Sequence, residues 1–216
     1  MTSKALDNVF KLAAIINPKA PTYGARGDGV TNDVAAIEAA LLAGGGVFTK
    51  GTYLCASRLN IPADSAILGG PGVNIQCTDA ASGGDFSIDG SDVTLRDITL
   101  TGSDNVQMVF FGAANISNFH MDHCKLRNTL QAATTQHGIH INTAAPLHTT
   151  ICHNDIRVTG YGILVNSAAT NGNDLRITDN YIYSRQSDGI ELNFPGITFT
   201  DVVISGNVIE VTSAGG

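Results

Sequence analysis

The chain has 216 residues, enough for one sizeable core, and a hydrophobic content of 43% that suits a globular domain rather than a disordered one. Only 14% of residues are charged, while 24 glycines and many asparagines, threonines and serines stand in their place; this suits β-structure with tight turns and argues against a helical protein. The net charge of −7 argues against a nucleic-acid partner, because phosphate binding needs clustered lysine and arginine, and a neutral or weakly charged polymer fits better.

The first segment, "MTSKALDNVFKLAAIIN", mixes Lys4, Asp7 and Lys11 into its apolar positions and lacks the unbroken apolar run of a secretory signal peptide. Leu6, Val9, Leu12, Ala13 and Ile16 recur at near-helical spacing, which predicts a helix over 5–16 that "NPKAP" stops; residues 1–20 read as a helical segment and linker before a single domain over 21–216. No stretch approaches the roughly 20 apolar residues that span a bilayer, so no membrane insertion is expected. A second helix is predicted over about 32–43, with Thr31 as N-cap, Asp33 in the first turn, an apolar stripe of Val34, Ile37, Ala40 and Leu41, and Gly44 to Gly46 as its end. That helix start accounts for Asp28 and Asp33 better than a calcium site does, since no denser run of oxygen ligands surrounds them. Cys55, Cys77, Cys124 and Cys152 show no metal-ligand spacing and read as reduced core or strand residues.

From residue 95 the chain repeats. The segments "LRDITL", "MDHCKL", "ICHNDI", "ITDNYI" and "ISGNVI" share apolar first and sixth residues, and their fourth positions, Ile98, Cys124, Asn154, Asn180 and Asn207, are 26, 30, 26 and 27 residues apart. Between them runs a second series, "QMVFFG", "HGIHIN", "YGILVN" and "DGIELN", whose third positions Val109, Ile139, Ile163 and Ile190 are 30, 24 and 27 apart. Both lengthen at one place, as a single inserted loop around "NTLQAATTQ" requires. A period in the mid-twenties with short alternating strands and no helix is that of a parallel β-helix, one coil per repeat. The recurrent asparagines then stack at a bend and bond from coil to coil.

The segment "YGARGDGVTNDVAAIEAAL", with the following "GGGVFTKGTYL" and "LNIPADSAILGG" (23–70), resembles the opening of the pectate-lyase-like right-handed β-helix superfamily, particularly bacteriophage tailspikes and related polysaccharide-degrading enzymes. Lys50 stands where that family often has proline. The resemblance implies an all-β fold, a right-handed single-stranded parallel β-helix with an N-terminal capping α-helix. It further implies a virion or extracellular setting, a homotrimer, and a bacterial capsular or O-antigen polysaccharide as partner. Phe110, Leu164 and Tyr161, read as exposed, support trimer formation.

Alternation places Phe110, His140, Leu164 and Glu191 in one outward column of the second series, with Gln107, His137, Tyr161 and Asp188 stacked at the strand entrance. Phe110, His137, His140 and Tyr161 are thus candidate substrate-binding residues, since rings pack on pyranose faces. Asp188 and Glu191 are the candidate catalytic pair, Glu191 as acid and Asp188 as base or nucleophile, provided that Gly189 bends the chain so that both reach one side. No cofactor is expected. His123 and His153 occupy equivalent positions on adjacent coils, but with no third ligand evident they read as turn or surface residues rather than a metal site. Arg127 and Arg157, also aligned, read as partners of Asp155 or Asp122 before receptors for an acidic sugar. A hydrolase is therefore ranked above a lyase, whose base and cation cluster is missing, and beside a non-catalytic receptor-binding or virion-structural module. The sequence stops one strand into a new coil, which leads us to expect a longer polypeptide or another chain over that end, and leaves catalytic acids beyond Gly216 as an alternative.

Overall fold

The computed structural model describes residues 16–78, 84–102, 107–128, 137–142, 146–166, 171–193 and 198–212. The helix expected over 5–16, apart from Ile16, and the inserted loop at 129–136 lie outside them. The described strands form three parallel sheets of a right-handed β-helix with about six coils. In each coil the chain passes from sheet 1 to sheet 2 to sheet 3. The third coil, for example, contributes Thr99–Gly102, Gln107–Phe111 and His120–Asp122 in turn. No helix among the described residues is long and apolar enough to cross a membrane.

Both repeat series are structural ladders. The apolar residues of sheet 1 stack as Ile75, Leu100, Leu126, Ile156, Ile182 and Ile209. Those of sheet 2 stack as Leu59, Phe86, Val109, Ile139, Ile163 and Ile190. Those of sheet 3 stack as Leu95, Met121, Ile151, Ile177 and Ile204. All but the last member of each ladder, Ile209, Ile190 and Ile204, are fully or almost fully buried in one continuous core. In the last strands of sheets 3 and 1, Phe199–Ser205 and Val208–Val211, the residues Val202, Val203, Ile204, Val208, Ile209 and Val211 are exposed. All four cysteines are buried and form no disulfide, as their sequence context implies.

The bend between sheets 3 and 1 takes two residues. The first is left-handed at Asp97, His123, His153, Asp179 and Gly206, with φ between 52° and 68°; short polar side chains and glycine tolerate this region best. The second is the ladder position. Asn154 Oδ1 accepts the Cys124 N–H at 2.9 Å, and Asn180 Oδ1 accepts both the N–H and the side-chain amide of Asn154 at 3.0 Å. Asn207 continues the pattern toward Asn180. The remaining amide protons go to the carbonyls of Met121, Ile151 and Ile177, so the bend keeps few unmet backbone groups. A second left-handed column, Asp64, Asp92, Asn118, His148, Asp174 and Asp201, marks the entry to sheet 3.

The cap helix is Val34–Leu42 and buries Val34, Ile37, Ala40 and Leu41, the stripe expected. Its start differs from expectation: Thr31 lies in the strand Asp28–Asn32, and Asp33 holds the N-cap position without capping. The Asp33 carboxylate is buried and accepts the N–H groups of Arg26 and Gly27 at 2.8 and 2.9 Å, so it ties down the preceding turn. The Asp28 carboxylate accepts the Thr31 and Val30 N–H groups, which hold its pKa down at about 2.

Candidate functional site

Sheet 2 carries the candidate residues on its outer face. Its register stacks Asn60, Ser87, Phe110, His140, Leu164 and Glu191 in one column, the last four in the order read from the sequence. Before each strand, the backbone bonds Gly138 N–H to Tyr161 O and Gly162 N–H to Asp188 O align His137, Tyr161 and Asp188 at the entrance. The glycine of "HGI", "YGI" and "DGI" sits at the corner from sheet 1. A Cβ on Gly162 would lie 2.3 Å from Ile182 Cγ2 and 2.5 Å from the Gly189 carbonyl oxygen, and one on Gly189 would lie 2.2 Å from Ile209 Cγ2. Across Gly138, within the strand His137–Ile141, side chains three residues apart meet: the His137 and His140 rings are edge to face with centroids 4.9 Å apart. Tyr161 packs on His137 at 5.1 Å.

Burial corrects part of the sequence reading. Phe110 is 8% exposed and Leu164 5%, so neither presents apolar surface for a trimer contact. The Arg58 guanidinium lies over the Phe110 ring at 4.8 Å, and His140 is buried beside them in the column. An outward apolar side chain signals that something covers it, and alternation along a strand cannot tell a covered outer face from a solvated one. Each ring nitrogen of His140 is engaged, Nδ1 with Gln107 and Nε2 with Asn166 at 3.0 Å. His137 differs: it is half-buried, and its Nδ1 is buried with no hydrogen-bond partner among the described residues. Asp188 is exposed in the turn before Ile190–Leu192, and Glu191 is half-buried next to Leu164.

Sequence reasoning missed a concavity on another face. On the outer face of sheet 1 a cleft of about 570 Å³ is lined by Asn128, Arg157, Val158, Thr159, Tyr181, Tyr183, Arg185 and Glu210. Arg157 lies 5.0 Å over the Tyr181 ring and its Nε is 3.0 Å from Asp155 Oδ1, while Arg127 pairs with the other oxygen of Asp155. The ion pairs expected of Arg127 and Arg157 therefore form with Asp155; Asp122 is taken instead by Arg96. The signal for the cleft was the pair Tyr181 and Tyr183, which alternation directs to one outer face.

The family model described as rhamnogalacturonase A/epimerase, pectate lyase-like, matches residues 19–214. The chain belongs to this pectate lyase-like family. No curated protein matches the sequence. Among solved structures, the A-module of mannuronan C-5 epimerase AlgE6 from Azotobacter vinelandii is similar, with a TM-score of 0.59 and 18% identity over 91% of this chain and 67% of that one. The A-module of AlgE4 from the same organism gives 0.51 and 16%, over 90% and 73%. At these identities the likeness is one of fold.

In this pectate lyase-like chain the histidine pair also sets a pH response. Burial, then the charge of His140, pushes the His137 pKa from 6.5 down to about 4, and burial pushes that of His140 down as well. Folding thus holds both imidazoles neutral. Their contribution to stability is complete above about pH 6.5, where the unfolded chain also leaves them neutral, and is lost as the pH falls toward 4 because the unfolded state binds protons first. After allowance for solvent screening, the loss expected between pH 7.5 and 5 is about 1–2 kcal/mol. Urea unfolding at the two pH values reads it, and His137→Gln should flatten the difference; an equal difference in that variant would place the effect elsewhere.

Proposed function

We propose that the protein binds and depolymerises a bacterial surface polysaccharide, in the manner of a phage tailspike, outside the host cell or on the virion. Asp188 and Glu191 are its hydrolytic pair. The observation that carries the reading is the meeting of His137 and His140 across Gly138, because Asp188 and Glu191 occupy the same two positions two coils away, across Gly189. The same approach of residues three apart, carried to Asp188 and Glu191, is what a carboxylate pair requires, and the stacking of the two positions supports it. Half-buried Glu191 donates the proton to the departing glycosidic oxygen, and exposed Asp188 attacks the anomeric carbon or activates a water. A separation of roughly 5–5.5 Å would give retention and roughly 6.5–9.5 Å inversion. Half-buried His137 and Tyr161 supply the wall of the subsite, backed by the buried His140 and Phe110. The mannuronan epimerases of similar fold act on a polysaccharide by name, in keeping with a polymeric ligand.

A second reading, glycan adhesion without cleavage, draws support from the sheet 1 cleft, whose two tyrosines and two arginines suit sugar rings and acidic groups. Release of reducing ends from capsular and O-antigen polysaccharides separates the two. Depolymerisation by the wild type that disappears in Asp188→Asn/Glu191→Gln, with polysaccharide binding retained, supports hydrolysis; binding without release in both proteins supports adhesion. Trimer assembly belongs to the same proposal. Light scattering should give three times the chain mass, and a chain-mass species at all concentrations would remove it.

A further inference from the structure

The bend between sheets 3 and 1 holds a group of metal-ligating side chains that depolymerisation does not use. His123 and His153 each occupy the left-handed position of their turn, with φ of 52° and 53°. The residues just before them, Asp122 and Cys152, end neighbouring strands and pair in register. Two consecutive positions on two adjacent coils therefore carry Asp122, His123, Cys152 and His153. The coil before has Arg96 and Asp97 at these places, and the coil after has Thr178 and Asp179.

Asp122 Oδ1 is the common centre. It lies 2.7 Å from His123 Nδ1, 3.1 Å from His153 Nδ1 and 3.5 Å from Cys152 Sγ. One donor atom each from Asp122, Cys152 and His153 lies within 4.8 Å of the others, and the His123 ring stacks on His153 at 4.9 Å with 16° between planes. Asp122 and Cys152 are 7% and 8% exposed, while both histidines are half-exposed, so the group has a buried floor and an open mouth. Arg96 takes Asp122 Oδ2 at 3.5 Å and Asp97 at 3.3 Å, which leaves Oδ1 to the cluster. Asp179 Oδ2, 3.9 Å from His153 Nε2, adds negative charge on the far side.

We propose that Asp122, Cys152 and His153, with His123 beside them, form a site for a divalent ion of the zinc type that ties two adjacent coils together. Bonds of about 2.0–2.3 Å from zinc to oxygen, nitrogen and sulfur put tetrahedral ligand atoms roughly 3.3–3.7 Å apart, close to the 3.1 and 3.5 Å that separate Asp122 Oδ1 from His153 Nδ1 and Cys152 Sγ. A thiolate and imidazoles select zinc or cobalt over the magnesium and calcium that all-oxygen sites hold. Binding replaces the Cys152 S–H bond by a metal–sulfur bond, and the proton leaves to solvent, with no change in oxidation state. Affinity should accordingly rise with pH.

The test uses the whole chain without a polyhistidine tag, reduced, freed of metal by a chelator and titrated with Co²⁺ and then Zn²⁺. One equivalent of Co²⁺ should give tetrahedral d–d bands with a thiolate charge-transfer band, and Zn²⁺ should bleach both. Cys152→Ser should abolish the charge-transfer band and weaken binding at least tenfold; His153→Gln, at a half-exposed turn position, should weaken it similarly while leaving the circular dichroism unchanged. If Cys152→Ser does not fold, His153→Gln carries the comparison alone. Octahedral cobalt spectra, no charge-transfer band in the wild type, or unchanged affinity in His153→Gln would overturn the proposal.

Discussion

Replacing Asn180 with alanine should lower the stability of the protein by about 3–4 kcal/mol, because it removes several bonds inside a buried bend at once. The Asn180 side chain is 1% exposed. Its Oδ1 accepts two Asn154 donors, and its Nδ2 donates to the Ile151 carbonyl and to Asn207 Oδ1. Alanine leaves the Asn154 N–H and the Ile151 carbonyl without these partners in a place that water does not reach, at about 1–3 kcal/mol for each orphaned group. Guanidinium unfolding measures the loss, which for a chain of this size corresponds to a fall in Tm of about 10 °C. Asn207→Ala is the internal comparison: Asn207 is half-exposed, so water can replace part of what is lost and the cost should be nearer 1 kcal/mol. Equal losses in the two variants would show that burial is not what makes the ladder matter.

Asp188→Asn and Glu191→Gln should each reduce depolymerisation by roughly 10²–10⁴-fold, the range over which a positioned acid or base contributes to proton transfer. The double variant should lose little more than the worse single one, because groups that act in one step are not additive. Binding should change far less. Each substitution is close to isosteric, and neither residue belongs to the buried core, so the unfolding midpoints should stay within the small range of surface changes. Activity of both single variants within tenfold of wild type would remove these acids from the mechanism and leave the adhesion reading in possession of the site.

Much of the architecture is legible in the sequence for a simple reason. A β-helix repeats one decision, inward or outward, at a fixed period, and the apolar residues at 98, 124, 126, 156 and 182 record it directly. The same period exposes the outward column from Phe110 to Glu191, because register in stacked coils is set by spacing alone. Exposure is not set that way. Phe110 and Leu164 are outward yet buried, and whether an outer face is covered depends on segments with no repeat to read. The cap start was missed because Asp33 spends its carboxylate on Arg26 and Gly27, a backward contact that helix-start rules do not contain. The group at Asp122 was hidden by another rule: neighbouring residues in a strand point to opposite faces, but a left-handed residue at 123 and at 153 cancels that alternation. The left-handed columns themselves were readable, since aspartate, asparagine, histidine and glycine fill them throughout.

The even pitch of the coils has a kinetic consequence. Each strand of a new coil pairs with one about 21–30 residues earlier, so each new coil closes a loop of similar length, at a cost of about 3 kcal/mol of chain entropy that does not grow with the size of the part already formed. Unlike a sandwich, in which late strands must find distant partners, this molecule presents each incoming segment with a finished template. The slow event is the first coil to form, wherever along the chain that is, and later coils add to it at a rate independent of their number. Duplicating one whole coil in the middle of the chain should therefore raise the stability without slowing the rate-limiting step of folding.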